Sequence, residues 1–286
     1  RVLKEHCNLT DDKDNPVELK KPKEIASDSL QNPSDPDATY SGHKGQGYQV
    51  QVQETFCDDE QKKEETLDLI LNVEVEPAHN SDAKALIPSI EATQEQNLKP
   101  KELTADSLYG SDDNHERAKE LGVELIAPTM GSVDEDKLGL VDFQLSDDGQ
   151  VLACPQGNAP AKIKKGKKVS IGFAAHDCRN CPNLSKCPVQ KGKKYYYLRV
   201  TDKQIRIAMR RIEEQTDRFT ERYRWRAGVE ATMSEYDRRT GVKHLRVRGL
   251  KAVKFCATLK ALGVNIFRAA AFRAAKMIPV EGLCEA

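Results

Sequence analysis

The sequence predicts a mixed α/β fold, and three observations carry that expectation. Gly47 to Glu54 and Leu67 to Val75 have the alternation and β-branched content of strands. Helical and extended signals then alternate between Ser81 and Ala127. Much later comes a helical stretch, Phe219 to Asp237, with no proline and with Gly241 as a stop signal.

Residues 1–36 are polar and acidic, with scattered Pro and Ser, and read as a linker or mobile arm. His43 and Lys44 then fall in a Gly-rich turn before the first strand, where turn chemistry explains them. In Gly47 to Glu54, Tyr48, Val50 and Val52 alternate with polar neighbours, as in a half-buried strand. An acidic loop joins it to Leu67–Val75, so the two make an antiparallel hairpin. Ser81 is placed to cap a helix running to about Gln94, with Pro88 expected to kink or break it.

Leu103 to Asp106 reads as a short strand ending in an aspartate, followed by the Tyr109-Gly110 turn. Ser111 caps the next helix, Asp112 and Asp113 suit its first turn, and Gly122 ends it. Val123 to Ala127 is another strand, stopped by Pro128. Phe143–Leu145 and Val151–Ala153 form a hairpin across Asp148-Gly149. The order fits a mixed sheet of the ribonuclease-H type whose opening strand is not seen in this sequence.

On the helix Phe219–Asp237, Phe219, Tyr223, Arg226, Glu230, Met233 and Asp237 share one face, and Trp225, Val229, Thr232 and Tyr236 form a packing stripe beside it. Trp225 is therefore expected in the core, with stacking on an extruded base as the alternative. In the last helix Phe255, Leu259, Leu262 and Ile266 recur at core spacing.

The 286 residues carry zero net charge, but unevenly. Residues 1–160 hold 15 Lys+Arg against 34 Asp+Glu, and residues 161–286 hold 30 against 11. A polymer of phosphates is drawn to such a second half, because neutralised phosphates release counterions. Lys243, His244, Arg246, Arg248, Lys251 and Lys254 form a basic run there. The mean hydropathy of −0.66 is that of a soluble chain. The longest apolar region is broken by Lys254, Lys260 and Arg268, so no membrane span is expected. No secretion signal follows Arg1, which points to the cytosol.

In that setting the eight cysteines suggest metal ligation or buried thiols before disulfides. Cys178-x2-Cys181-x5-Cys187 lets two thiolates reach one tetrahedral ion, and the hairpin can deliver Cys154 as a fourth ligand, with His176 as the alternative. A structural zinc, an iron–sulfur cluster and unligated thiols all remain open. A metal would act as a staple for a lysine-rich excursion expected to have little core of its own.

Tyr223, Arg226 and Glu230 spell Y-x2-R-x3-E, and this motif resembles the signature of the DDE transposases of bacterial insertion sequences. ADSLYGSDDN around Asp106, the DPDATYSGHKGQGYQ stretch and the segment after Arg239 are similar to that family too. The family motif has Lys seven residues after the Glu. Here Asp237 stands there, and Arg238 is the substitute we favour.

The resemblance implies Asp106 and Glu230 as two of three catalytic carboxylates holding two Mg2+ or Mn2+ ions. Hard divalent ions take such oxygen ligands, and the chemistry is cleavage and strand transfer of DNA phosphodiesters. It implies Tyr223 and Arg226 as DNA-positioning residues, joined by Arg238, Lys243, Arg246 and Arg248. Its partners are double-stranded transposon ends and target DNA, acted on by a homodimer beside the bacterial nucleoid. The first Asp is expected upstream, Asp35 and Asp37 being poor candidates, so the chain reads as the C-terminal part of a transposase. An inactive, zinc-stapled DNA-binding remnant and an RNase H-like nuclease are the alternatives. Four segments follow: an arm at 1–36, the first part of the catalytic core at 37–131, a Cys- and Lys-rich insertion at 132–200, and a helical part bearing the Glu at 201–286.

Overall fold

A computed structural model describes residues 1–59 and 61–277 of the chain. They form two compact units, one of Arg1–Pro100 with the chain from Trp225 onward, the other of Lys101–Arg224.

The first unit opens on structure where an arm was expected. Helix α1 (Val2–His6) runs into β1 (Cys7–Leu9), which pairs antiparallel with β2 (Val17–Leu19). Leu9 and Leu19 stay exposed, so this hairpin rests on backbone pairing rather than on a core. The expected strand hairpin follows as β3 (Thr39–Ser41), β4 (Gly45–Glu54) and β5 (Ile70–Pro77), an antiparallel sheet in that order. Helix α2 (Leu86–Glu95) begins later than expected, after a 3-10 turn over Asp82–Ala85, and the Ser81 side chain caps nothing. The late start puts Pro88 in the first turn, where its missing N–H costs nothing, so the helix continues past it.

In the second unit β6 (Glu102–Thr104) pairs in parallel with β7 (Glu124–Ile126), and α3 (Asp112–Glu120) connects them. Ser111 accepts the Asn114 N–H as the expected cap, and Gly122 ends the connection at φ +72°. The predicted hairpin is β8 (Gln144–Leu145) with β9 (Val151–Ala153). Beyond it lie β10 (Lys162–Lys164), β11 (Val169–Ala174), α4 (Ala175–Arg179), β12 (Gln190–Lys191) and β13 (Tyr195–Val200). These strands make an antiparallel sheet, β10-β11-β13-β12, that the sequence did not announce. The excursion also has a core of its own, contrary to expectation: Phe143, Val151, Ile171, Phe173, Leu198 and Val200 are buried together. Helices α5 (Asp202–Glu213) and α6 (Asp217–Tyr223) complete the unit.

Back in the first unit, α7 (Ala227–Thr240) and α8 (Leu250–Met277) pack on the β3-β4-β5 sheet. The single helix expected from Phe219 to Asp237 is therefore interrupted by a 3-10 turn at Arg224–Arg226. Ile70, Val73 and Val75 of the sheet meet Tyr236, Val253, Ala257, Ala261 and Val264 in one core. Tyr236 is fully buried and donates its hydroxyl to the Ala257 carbonyl. The stripe Phe255, Leu259, Leu262 and Ile266 is not core: each is 51–64% exposed. The helix turns its small residues to the sheet and its large ones away. By length and composition α8 could cross a membrane. However, Asn265 brackets the Ile70 backbone with two hydrogen bonds, and Arg268 makes ion pairs within the unit.

Arg268 is the polar pin of this unit. Its guanidinium contacts Glu54 of β4 at 3.1 Å, Glu235 of α7 at 3.0 Å, the Asp68 carbonyl at 3.1 Å and the Thr232 hydroxyl at 2.7 Å. Both carboxylates are largely buried. Such a network contributes through completeness, since removing one partner strands the others away from water. Arg268→Met is expected to cost about 3–5 kcal/mol, read from chemical denaturation, whereas mutation of the exposed pair Lys62–Asp59 should leave stability nearly unchanged.

Candidate functional site

Glu230 lies in the first turn of α7, made so by the 3-10 turn that restarts the helix after Arg226. Its carboxylate is 70% exposed and pairs with Arg226 at 3.0 Å. Upstream of the break, on α6 of the other unit, Phe219 and Tyr223 stack at 5.6 Å. Trp225 is half-buried rather than in the core: it stacks on Phe56 at 6.4 Å and carries the Lys63 ammonium over its ring at 5.6 Å. Val229 is half-buried, and Thr232 and Tyr236 are buried, as the packing stripe requires.

Asp106 belongs to the other unit, in the turn after β6. It accepts the Leu108 N–H at 2.9 Å, and its carbonyl accepts the Tyr109 N–H. The turn is pressed onto Pro128, for a Cβ on Gly110 would lie 1.8 Å from the Pro128 carbonyl oxygen. Only glycine fits there, and that fixes the loop bearing Asp106.

Asp112 was read only as a dipole-favoured residue, yet it anchors this unit. Its side chain is 1% exposed and pairs with Arg206 at 2.6 Å and with Arg210 at 2.5 Å. Burial opposes its ionisation, but the two guanidinia outweigh burial and hold the carboxyl below its usual range. His115, one turn on, is pushed down to about 4, first by burial and then by Arg210, against a hydrogen bond with the Ala127 backbone. Its Nε2 is buried without a partner.

Four cysteines come together in the second unit. Cys154, Cys178, Cys181 and Cys187 line one cavity of about 30 Å3 with Phe173, Leu184 and Val189. The CPQG turn closes by Gly157 N–H to the Cys154 carbonyl, and Cys181 N–H bonds back to Cys178. Burial, and then the neighbouring Cys187, Cys154 and Cys181 thiols, push Cys178 up to about 11. The Cys178 thiol keeps its proton until a cation replaces it. His176 points elsewhere, 81% exposed and paired with Asp177. The seven described cysteines are free, and Cys284 lies outside the described residues. Among the described residues, no group of three or more His, Cys, Asp or Glu side chains is already arranged to hold a metal ion.

The basic run after α7 alternates in the structure. Leu245 and Val247 turn inward, and His244, Arg246 and Arg248 are exposed. Lys243 pairs with Asp237 at 3.2 Å and Lys254 with Glu74 at 3.0 Å, while Arg238 is exposed beside them. Asp35 and Asp37 have a structural task here. Asp35 accepts the Tyr48 hydroxyl and the Gly249 N–H, and Asp37 accepts the Leu250 N–H, so together they cap α8.

Residues 153–270 match the family model of the transposase DDE domain. This bears out the resemblance to the DDE transposases of insertion sequences. The match covers less than half of the chain. It takes in the four clustered cysteines, the Tyr223–Arg226–Glu230 motif and the basic run, and Asp106 lies outside it. No curated protein and no solved structure matches the chain.

Acid should weaken the second unit, through both groups in one direction. The folded state refuses the His115 proton that the unfolded chain takes up near 6.5, so stability falls as pH drops from about 6.5 toward 4. The Asp112 contribution holds above its unfolded value of 3.8 and is lost as pH falls through its lower folded value. Denaturation measured between about pH 7 and 5 should show the first slope, and His115→Gln should flatten it.

Proposed function

We propose that the protein is a DDE transposase that cleaves and joins DNA phosphodiesters at insertion-sequence ends. Glu230 and Asp106 are its carboxylate metal ligands. The observation that carries this reading is the transposase DDE domain match spanning Glu230 and Arg226, which stand one helical turn apart as an ion pair. Two Mg2+ or Mn2+ ions would supply charge neutralisation at the attacking and leaving oxygens. Arg226 offers a guanidinium fork for a phosphate, exchanging Glu230 for substrate when DNA arrives. Tyr223 orients the same strand. Arg238, Lys243, Arg246 and Arg248 contact duplex phosphates at the transposon ends and the target, and the strongly basic second half of the chain supports this. We read the fold as RNase H-like, with Asp106 and Glu230 as two of its carboxylates. Work on DNA places the protein in the bacterial cytoplasm at the nucleoid. The homodimer implied by the family has a suitable surface in the uncovered stripe of α8, whose four-three-four spacing is that of paired helices.

With a substrate bearing insertion-sequence ends and Mg2+, strand cleavage is expected, and Glu230→Ala and Asp106→Ala should each lower its rate at least about 100-fold with DNA binding retained. Cleavage without joining would mark a nuclease instead. A second reading, DNA binding without chemistry, is favoured by one observation: Asp35 and Asp37 are both committed to capping α8, which leaves the first aspartate unassigned. Binding with no cleavage by the wild-type chain would establish it.

Cys154, Cys178, Cys181 and Cys187 are the residues that would hold a structural zinc. Four sulfur donors around an ion-sized cavity are the right chemistry for it. Elemental analysis should find about one zinc per chain, and chelation or Cys178→Ser should lower the melting temperature. Iron would indicate a cluster instead, and no metal would leave the thiols unligated.

A further inference from the structure

Residues 161–200 hold eleven Lys+Arg against one acidic residue, Asp177. The sheet folded from them has one face on the core and one in solvent, and the basic run described above lies outside it. Pairing registers fix what the solvent face carries. Lys162 stands opposite Gly172, which stands opposite Tyr197. Lys164, Ser170 and Arg199 form the next row, and Ala174 pairs with Tyr195. Side chains at paired positions share a face. One face therefore presents, in order, lysines on β10, small residues on β11, and Tyr-x-Tyr-x-Arg on β13. Tyr196, Leu198 and Val200 between them are buried on the other face.

The small residues are there for the rings. A Cβ on Gly172 would lie 3.3 Å from Tyr197 Cε1, and one on Gly192 would lie 2.7 Å from Cε2, so glycines on both sides bed the Tyr197 ring against the sheet. Tyr195 meets that ring edge-on at 6.1 Å, and the Arg199 guanidinium covers it at 5.5 Å. Arg199 is fixed in turn by the Gln190 side chain at 2.6 Å. The result is a shelf of aromatic and guanidinium planes beside a lysine edge. Lys162, Lys164, Lys165, Lys167 and Lys168 are all exposed, and none makes an ion pair among the described residues.

We propose that this sheet face binds a single strand of DNA, with unpaired bases stacked on Tyr195 and on the Arg199–Tyr197 pair and the phosphates on Lys162 and Lys164. A duplex hides its base faces and cannot use the shelf. A frayed or melted end can, and every base has a face to stack. The inference rests on DNA being the protein's partner and assigns this sheet the unpaired strand.

The test is binding of the full chain to a labelled single-stranded oligonucleotide, to the matching duplex, and to vesicles of anionic lipid, over a range of salt. Tyr195→Leu should weaken single-strand binding roughly 5- to 100-fold and leave duplex binding and the salt slope unchanged. Lys162→Gln with Lys164→Gln, both on an exposed edge and neutral to folding, should lower the single-strand salt slope by about 1.4. Binding of DNA by the wild type with both variants unchanged would overturn this inference alone. Equal losses on both DNA forms, or preference for vesicles, would overturn it as well. No binding of any DNA would overturn it together with the proposed function.

Discussion

The guanidinium of Arg268 is the constraint on which the first unit depends. One side chain on α8 binds two carboxylates, one hydroxyl and one carbonyl drawn from β4, from the segment before β5, and from α7. A half-satisfied network of this kind is worse than none, so these elements take their places together. Glu230 inherits its position from that arrangement. It lies less than a turn before Thr232 on the same helix, and the Tyr236 anchor below ties the helix to α8. The far end of the assembly is held by Asp35 and Asp37, whose carboxylates stop the first turn of α8 from fraying.

The second unit uses the same device with the signs exchanged: a buried carboxylate, Asp112, gathers two arginines of α5 onto α3. Its neighbour Gly110 lets the Asp106 turn close onto Pro128. The cysteine cavity lies at the edge of a separate apolar cluster, so a metal there would reinforce a core that already exists. That is a milder role than a staple for an otherwise unfolded loop.

Much of this was legible in the sequence, where local chemistry decides. The β4–β5 hairpin, the Ser111 cap, the β8–β9 hairpin and the convergence of four cysteines followed from alternation, capping and spacing. The failures have a common cause, since periodicity shows that a face is apolar but not which neighbour it meets. Helix α8 has two apolar faces, and the sheet selects the one with Ala257 and Ala261 because small side chains allow close approach. The break at Arg224–Arg226 has no glycine or proline to announce it. Strand β10 escaped notice because its lysines lie on the exposed face of a sheet edge. The tasks of Arg268 and Asp35 depend on partners about 200 residues away, which no local window contains. For the site itself, Glu230 and Arg226 were visible as a motif, while the carboxylate expected ahead of Asp106 was not.

Glu230, in the first turn of α7, is the proposed metal ligand on which this reading turns. The most direct measurement is paramagnetic broadening of backbone amide signals on titration with Mn2+ in the presence of DNA. Amides around Glu230 should broaden as Mn2+ is added, and Glu230→Ala should remove that effect; the same is expected around Asp106 with Asp106→Ala. Broadening confined to the acidic loop between β4 and β5, with none around Glu230, would contradict the proposal.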